Sequence, residues 1–259
     1  MNNRFKKIIN PLIINWGQKI EKRKFSDKPI IIGACPRSGT TLLLSILDAH
    51  PNIYAIQHQS YGFTNWDIDS VSKKIKMKRK DRLYREFILH NIPGNPTRYC
   101  EKTPRNIEHF DEILKYFGEN AKLIHVIRDG RDVVTSKHPK IRKNQYYVPV
   151  QRWIDDVKSG LKFSNRPNVY IIKYENIIYN FKSEIQNLCE FLGEDFSSEI
   201  RDWYKNTSVK KSKHWKSPIK AIHNKAIEKW RHAEHKEKLD EFMDNPEAVE
   251  LLKKLNYIE

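Results

Sequence analysis

Cysteine is scarce in this chain of 259 residues. Three cysteines are present, Cys35, Cys100 and Cys189, and they form neither a CxxC pair nor a Cys/His group with metal-ligand spacing. A bound metal such as zinc is therefore not expected. In a reducing compartment, isolated cysteines usually serve as small apolar side chains. Their pattern here therefore favours a cytoplasmic protein.

Long apolar runs are also missing. The apolar part of residues 1–25 is interrupted by Pro11 and is far shorter than the roughly 20 residues of a membrane-spanning helix. No small-residue cleavage site follows it, so a secretory signal is not indicated. Residues 1–28 are interpreted as a basic amphipathic segment, which either packs on its own domain or lies on a membrane surface. Packing is the commoner outcome, and peripheral membrane contact through residues 1–25 is the alternative.

Acidic residues are outnumbered, with 32 Asp and Glu against 48 Lys and Arg, which gives a formal net charge of +16. This balance suits anionic partners, although a solvated, lysine-rich surface gives the same count. No nucleic-acid recognition motif is present and the basic residues are spread along the chain, so no nucleic-acid partner is expected. The 39% of hydrophobic residues indicates a globular protein, and without repeats or long linkers residues 29–259 predict a single domain.

Short apolar runs alternate with stretches of helical periodicity. The predicted strands are Pro29–Cys35, Arg98–Glu101, Lys122–Ile127 and Asn168–Lys173. The predicted helices are Thr41–Ala49, surface helices within 67–90, Asn106–Phe117, Asp132–Ser136, Pro149–Phe163, Phe181–Leu192, Ser197–Tyr204 and a last helix starting at Asn245-Pro246. This alternation predicts an α/β fold: a three-layer, P-loop-like domain with a mostly parallel central sheet flanked by helices. Ligands then bind at the carboxyl ends of the strands.

The turn after the first predicted strand has the composition of an anion-binding loop. Residues 33–41 have the sequence GACPRSGTT. Main-chain N–H groups of Ser38, Gly39 and Thr40 would surround an anion at the helix N-terminus, and nearby hydroxyls such as that of Thr41 add donors. Compared with the P-loop pattern GxxxxGK[ST], Thr40 stands in place of the lysine that contacts the β- and γ-phosphates. A ligand without a γ-phosphate is therefore indicated, and a turn capped by glycine and hydroxyls is the structural alternative.

A second candidate anion site follows the strand Lys122–Ile127. Arg128 ends that strand, and Ser136 is eight residues further on, within the next predicted helix. A guanidinium at a strand end and a hydroxyl can hold a phosphate dianion through charge-assisted hydrogen bonds. A surface pair between Arg128 and Asp129 or Asp132 explains the same residues equally well.

The stretch 36–51, PRSGTTLLLSILDAHP, resembles the 5′-phosphosulfate-binding loop of sulfotransferases that use 3′-phosphoadenosine 5′-phosphosulfate (PAPS). It is closest to the bacterial and protein-tyrosine branches; the cytosolic branch usually has lysine where this chain has Arg37. In that family an Arg and a Ser eight residues apart bind the 3′-phosphate, which implies this role for Arg128 and Ser136. Weaker similarities extend to residues 101–104, 174–175 and 219–230. They imply that Tyr174 lies near the nucleotide and that Lys220 contacts a phosphate.

The resemblance implies sulfuryl transfer from PAPS to a hydroxyl or amine by in-line displacement, without a metal. Such a site needs cations near the bridging oxygen and a base for the acceptor proton. Lys102 and Arg37 are the candidate cations, with Lys102 the stronger. His58 aligns with the glutamate base of the tyrosine-directed branch, and a neutral imidazole suits that role. Glu101 is the next candidate for the base.

The acceptor is not identified by the sequence. Residues 59–97 and 138–150 are expected to line its pocket, and their aromatic residues are Tyr61, Phe63, Trp66, Tyr146 and Tyr147. Aromatic rings among cations suit a glycan, and a peptide tyrosine, a lipid head group or a small phenol would also fit. A P-loop-like nucleotide kinase or triphosphatase and a non-catalytic nucleotide- or polyanion-binding protein are the competing functions.

Overall fold

The computed structural model describes residues 3–69, 74–118, 121–137, 145–209 and 224–259, and for residues 3–7 the backbone alone. The strands are β1 Ile30–Ala34, β2 Ile53–Ala55, β3 Trp66–Ile68, β4 Ile75–Met77, β5 Arg98–Lys102, β6 Lys122–Ile127 and β7 Val169–Lys173. The helices before β6 are α1 Asn3–Lys24, α2 Thr40–Asp48, α3 Lys80–Leu89 and α4 Phe110–Phe117. Those after β6 are α5 Gly130–Val134, α6 Val150–Leu161, α7 Tyr174–Tyr179, α8 Phe181–Leu192, α9 Ser198–Arg201, α10 Trp203–Asn206, α11 Lys236–Met243 and α12 Pro246–Lys254. Short 3₁₀ turns cover Pro104–His109, Lys229–Arg231 and Ala233–His235.

Five strands form one parallel sheet in the order β2-β5-β1-β6-β7. The central strand β1 pairs Ile31 with Glu101 of β5 on one side and with Leu123 of β6 on the other. All five β1 residues are buried, because helices cover both faces of the sheet. An unbroken apolar run is typical of such a central strand, whose side chains are buried on both faces.

The sheet lies between two layers of helices. Ile30 and Ile32 point toward α2, α8 and α10, where the first core cluster contains Leu43, Leu188 and Trp203. On the opposite face, Ile31 and its neighbours pack under α1, α3 and α4, and a third cluster gathers α5, α6, α11 and α12 around Trp153. The prediction of a three-layer α/β domain with a mostly parallel sheet is therefore confirmed.

The connections leave β1 and β6 in opposite directions. From β1 the chain crosses one face through α2 to reach the edge strand β2, whereas from β6 it crosses the other face through α6 to reach β7. Such a reversal opens a crevice between the carboxyl ends of the two strands, which is where ligands bind in parallel sheets. The 33–41 turn and Arg128 both lie at this crevice.

Several local predictions differ from the structure. The predicted helix Ser197–Tyr204 is divided at Asp202 into α9 and α10. Residues 67–90 are not helical throughout: β3 and β4 form an antiparallel hairpin, and α3 begins only at Lys80. Each of these strands, like the unpredicted β2, has three residues, which is too short for a periodic pattern to appear in the sequence. The predicted helix Asp132–Ser136 begins two residues earlier, at Gly130, and ends at Val134, because Asp129 caps it by accepting a hydrogen bond from the Arg131 amide.

The N-terminal segment forms a regular helix through Pro11 and packs on α3. Gly17 lies against the ring of Tyr84, where a Cβ atom would come within 2.2 Å of the tyrosine Cβ. Glu21 accepts hydrogen bonds from the hydroxyls of Tyr84 at 2.7 Å and Tyr99 at 3.2 Å. Within the described ranges, no helix combines the length and the apolar character needed to cross a membrane.

Candidate active site

The turn after β1 wraps the N-terminus of α2. Gly39 is in the left-handed region at φ 91°, and Arg37 adopts φ 77°, which is strained for a residue with a side chain. Because α2 begins at Thr40, the amides of Thr40 and Thr41 have no acceptor within the helix. The Ser38 amide already donates to the Cys35 carbonyl at 3.3 Å. The loop therefore directs the first amides of α2, rather than that of Ser38, toward the crevice.

A lysine from the neighbouring strand completes this loop. Lys102, the last residue of β5, is 2% exposed, and its Nζ donates to Oγ1 of Thr41 at 3.2 Å. Burial lowers the pKa of Lys102 to about 8, against the partly compensating charge of Glu101. The cation that the loop sequence lacks at Thr40 is thus supplied in space by Lys102.

Arg128 crosses from β6 toward the loop. Its Nη1 donates to the Arg37 carbonyl at 3.0 Å, its Nη2 lies 3.3 Å from Oδ2 of Asp132, and Nη2 also donates to the Ala226 carbonyl. The residue is 7% exposed, and its Nε has no partner among the described residues. Desolvation and then the charge of Arg128 lower the pKa of Arg37, which is the effect of one guanidinium lying near another in the crevice.

Tyr174 lies beneath both anion-binding elements. Its ring stacks under the Arg128 guanidinium at 4.6 Å from the ring centroid. The same ring faces Gly39, where a Cβ atom would come within 2.3 Å of Tyr174 Cδ2. The adjacent Glu175 fixes the start of the next turn, because its carboxylate accepts from the Asp129 amide at 3.0 Å. Tyr174 therefore sets the spacing between the loop and Arg128.

Ser136 lies two residues beyond the end of α5. Its hydroxyl donates to the main-chain carbonyl of Asp132 at 2.7 Å, and the carboxylate of the same aspartate pairs with Arg128. Lys220 falls outside the described residues.

His58 lies at the other end of the active-site edge, after β2. It is exposed, and its ring centroid is 6.1 Å from that of His90 at the end of α3. Nδ1 of His90 is 3.6 Å from Oε2 of Glu86. Burial raises the pKa of Glu86, while the two imidazoles oppose that shift. A small group of imidazoles and one carboxylate thus occupies the position predicted for the base.

Glu101 holds the loop that carries His58. The carboxylate is fully buried and accepts hydrogen bonds from the Ser60 amide at 3.0 Å, the Ser60 hydroxyl at 2.8 Å and the Thr103 hydroxyl at 2.6 Å. Its second oxygen accepts from Asn106 at 2.7 Å. With both oxygens engaged and no exposure, Glu101 is built to position residues 56–62 rather than to take a proton from an acceptor.

Three carboxylates, two buried and one half-buried, anchor the site, and the sequence singled out only Asp132, as a partner of Arg128. Asp132 accepts from the amides of Glu228 at 3.0 Å and Trp230 at 3.3 Å, which ties this segment to Arg128. Asp48 accepts from the Thr207 hydroxyl and the Ser208 amide at the end of α2. Asp156 of α6 raises the pKa of the loop thiol of Cys35, after the larger effect of burial. No local motif marks such residues, because their partners are distant in sequence.

The aromatic residues expected at the acceptor pocket lie in different surroundings. Phe63 is fully buried in the core, so that expectation is wrong for it. The Trp66 indole donates to the Phe63 carbonyl, and the Tyr146 hydroxyl contacts the Glu234 carbonyl and His235. Tyr61 and Tyr147 remain 38% and 43% exposed.

Fold and geometry together define a class of protein. A parallel sheet carries a phosphate-type loop at its switch point, with one buried lysine and two arginines around it. A triphosphate site would have the lysine within the loop, which this chain lacks. The arrangement is that of an enzyme that binds an anionic nucleotide and transfers a group from it.

Comparison with known families agrees. The model described as the sulfotransferase family matches residues 29–198, more than half of the chain. The chain belongs to the PAPS-dependent sulfotransferase family, and it is an enzyme that transfers a sulfuryl group to a hydroxyl acceptor. The family resemblance predicted from the sequence is thereby confirmed.

Individual relatives are distant. The chain is 26% identical over 254 residues to protein-tyrosine sulfotransferase 2 of Gallus gallus. The aligned region covers 85% of this chain and 67% of the relative. Among solved structures, the sulfotransferase domain of the olefin synthase of Synechococcus PCC 7002 superposes with a TM-score of 0.60 at 18% identity, covering 91% of this chain and 97% of that domain. The mouse sulfotransferase SULT7A1, in complex with PAP, gives a TM-score of 0.53 at 18% identity, covering 93% and 94%. These structures support the fold.

Proposed function

We propose that this enzyme takes its sulfuryl group from PAPS, bound across the crevice between β1 and β6. The observation that carries this proposal is the pair of cationic sites on either side of Tyr174. One site is the Arg37–Thr41 loop with Lys102 beside it, and the other is Arg128. Two separated anion sites match a nucleotide that carries groups at both its 5′ and 3′ positions. When bound, PAPS supplies an activated sulfuryl group whose leaving group is a nucleoside bisphosphate.

The donor groups of the chain suit such a ligand. Arg128 has a buried Nε without a partner among the described residues, which leaves an N–H donor for a phosphate oxygen. The Thr40 and Thr41 amides are likewise free of helical acceptors. These observations support the roles proposed for Thr40 and Thr41 at the 5′ end and for Arg128 at the 3′ end. Ser38 and Gly39 at the 5′ end and Ser136 at the 3′ end are proposed on the family resemblance, because the Ser38 amide and the Ser136 hydroxyl already donate to carbonyls of the chain. Lys220 is proposed to contact a phosphate on the family resemblance alone.

Lys102 and Arg37 are proposed to neutralise the charge that develops on the leaving oxygen, without a metal. Lys102 contributes most, because its ammonium is buried and already held against Thr41. His58 is proposed to accept the proton of the acceptor hydroxyl. Support for this role comes from its exposure on the loop beside β5, held by Glu101 through Ser60.

The acceptor is proposed to be an uncharged sugar bound in a cavity that Gln57 and His90 line; Gln57 precedes His58 in the chain, and the ring centroid of His90 is 6.1 Å from that of His58. This cavity of about 460 Å³ is lined by Tyr54, Gln57, His90, Asn91, Asn95 and Ser208, among others. Among its described lining residues there is no Lys or Arg, and the one acid, Asp48, already accepts four hydrogen bonds. Amides, hydroxyls and imidazoles pair well with sugar hydroxyls. Burial raises the pKa of Tyr54 to about 12, so its hydroxyl stays a donor.

The donor proposal is tested by thermal denaturation. Adenosine 3′,5′-bisphosphate should raise the Tm without Mg²⁺, and ATP at the same concentration should raise it much less. Stabilisation by Mg-ATP alone would instead support a nucleotide kinase. Stabilisation by DNA but not by the bisphosphate would indicate a non-catalytic polyanion-binding protein.

The acceptor proposal is tested with radiolabelled PAPS and four acceptor classes: uncharged oligosaccharides, tyrosine peptides, phenols and lipid head groups. We expect label on the oligosaccharides, and a raised acceptor KM in Gln57→Ala and Asn91→Ala with unchanged affinity for the bisphosphate. Transfer to tyrosine peptides alone, with no effect of these two variants, would reject the sugar proposal while leaving the donor proposal intact.

We also propose a cytoplasmic location and a single catalytic domain. All three cysteines are buried and unpaired, which supports a reducing, cytoplasmic location. Residues 29–259 are proposed to act as one sulfotransferase domain, to which residues 1–28 add α1.

A further inference from the structure

Three large apolar side chains of α1 stand in solvent. Ile8, Leu12 and Trp16 are 69%, 65% and 63% exposed. A spacing of four residues places them on one side of the helix, along successive turns. Isolated exposed apolar residues are normal, but a contiguous stripe of three large ones marks a surface that binds something.

The other side of α1 is already satisfied. Gly17 contacts Tyr84, and Ile13, Ile14 and Ile20 pack against the core cluster beneath α3. The Arg85 guanidinium also donates to Asn10 at 3.1 Å. These contacts fix the rotation of the helix about its axis, so the stripe faces outward and cannot turn into the core.

Cations continue the exposed face beyond the stripe. Lys19 and Arg23 are exposed, and they follow Trp16 at intervals of three and seven residues, which keeps them on the same side. The acidic residue of the helix, Glu21, is turned inward by the hydroxyls of Tyr84 and Tyr99. The outer face of α1 therefore carries exposed apolar side chains at Ile8, Leu12 and Trp16 and exposed cations at Lys19 and Arg23.

We propose that this face docks on an anionic lipid surface, with α1 lying in the plane of the interface. Apolar side chains then enter the acyl boundary, the indole of Trp16 lies at head-group depth, and the two cations meet lipid phosphates. A second copy of the chain fits less well, because it would add its own net charge of +16 to the contact. Three side chains are also too few for the roughly 1,000 Å² that a stable protein interface buries.

The test is flotation of the full chain with lipid vesicles. Wild type should float with phosphatidylcholine vesicles that contain phosphatidylglycerol, and much less with phosphatidylcholine alone. Leu12→Gln and Trp16→Gln should each lower the partition coefficient about tenfold, as expected for one apolar side chain kept out of the bilayer. Lys19→Gln with Arg23→Gln should lower it further at low salt and little at high salt.

The matched control is Tyr179→Gln. Tyr179 is 62% exposed at the end of α7, which follows β7 at the opposite edge of the sheet from β2. This variant loses a comparable exposed ring and should float like wild type. An unchanged Tm in the α1 variants would show that they remain folded, since the altered side chains make no core contact.

A second measurement locates the contact. Brominated lipids should quench part of the tryptophan fluorescence of wild type, and Trp16→Phe should lose that quenching while still floating. Failure of wild type to float with either vesicle overturns the proposal. So does a concentration-dependent dimer that Leu12→Gln abolishes, because it would show the stripe to be a self-contact.

Discussion

The crevice between β1 and β6 and the cavity beyond β5 are built in different ways. In the crevice, Arg128, Tyr174 and the loop are in mutual contact, and the Arg37 carbonyl and the Asp132 carboxylate hold Arg128. On the cavity side, His58 and His90 are exposed, and the loop that carries His58 is held by Glu101 through Ser60.

This difference follows from what each region must recognise. A nucleotide with fixed phosphate positions binds more tightly to preorganised donors, because a donor that is already held in place loses no conformational entropy on binding. An acceptor region on loops and helix ends changes without disturbing the sheet. The comparison therefore predicts that substitutions in the crevice alter nucleotide affinity, whereas those at the cavity alter acceptor chemistry.

The sharpest test of the acceptor side is His58→Ala, which should lower kcat by about 10²–10⁴, the range for a lost general base. Binding of adenosine 3′,5′-bisphosphate should be unchanged, because His58 is separated from the crevice by β5. A more acidic phenol, if it is an acceptor, should recover part of the rate, since its proton needs less help to leave.

His90→Ala is the matched control for His58→Ala. His90 is exposed beside His58, but its Nδ1 is directed to Glu86, so its loss should slow kcat far less. Should His90→Ala prove the more damaging of the two, the base is assigned to the wrong imidazole.

Lys102→Ala should lower kcat by about 10²–10³, the usual result of removing one group that stabilises transition-state charge. The loss should be the same for every acceptor, including acidic phenols, because Lys102 acts on the leaving oxygen. Single-turnover rates with saturating nucleotide separate this from weaker binding. Equal rescue of Lys102→Ala and His58→Ala by an acidic phenol would contradict this division of roles.

The pH dependence of Lys102 provides a second measurement. Burial lowers its pKa to about 8, so the free enzyme loses this positive charge as the pH rises through that value. The value of kcat/KM for PAPS should therefore fall above pH 8. Lys102→Arg, which keeps its charge, should move this limb to higher pH even if its absolute rate is lower. A limb that stays near pH 8 in Lys102→Arg belongs to another group.

Arg128→Ala should weaken nucleotide binding about 10- to 100-fold with a smaller effect on saturated turnover. This corresponds to the roughly 1.5–3 kcal/mol of a hydrogen bond to a charged group. Ser136→Ala should cost less, because the Ser136 hydroxyl donates to the Asp132 carbonyl in this structure. Isothermal titration calorimetry with the bisphosphate measures the affinity of both variants. An unchanged affinity in Arg128→Ala would show that the 3′-phosphate binds elsewhere.

The sequence predicts the nucleotide half of the site better than the acceptor half. The strand before the loop and the strand before Arg128 are apolar and β-branched, and glycine with hydroxyls between strand and helix has few other uses. Local patterns therefore predicted β1, α2 and β6 and brought the loop and Arg128 to one edge.

The acceptor half depends on contacts between residues that are far apart in sequence. The contact between Gln57 and Ser208 spans 151 residues, and that between Ser60 and Glu101 spans 41. Strands of three residues, such as β2 and β3, have no period to detect. Phe63 was expected to line a pocket because it is aromatic, and only its packing against Phe117 and Trp66 shows it to be core.

The smallest expected effect is that of substituting Tyr174. It tests whether Tyr174 acts through the packing of its ring or through a hydrogen bond from its hydroxyl. The family resemblance implies a tyrosine near the nucleotide, whereas the structure places the ring between Gly39 and Arg128. If the ring acts as a spacer, Tyr174→Phe should bind the bisphosphate within about twofold of wild type, because the aromatic face and its attraction for Arg128 remain. Tyr174→Leu keeps apolar volume but loses that face, and affinity should fall several-fold. Desolvation raises the pKa of the Tyr174 hydroxyl, so the hydroxyl stays protonated and available at neutral pH. A loss in Tyr174→Phe as large as in Tyr174→Leu would therefore show that the hydroxyl, and not the ring, contacts the nucleotide.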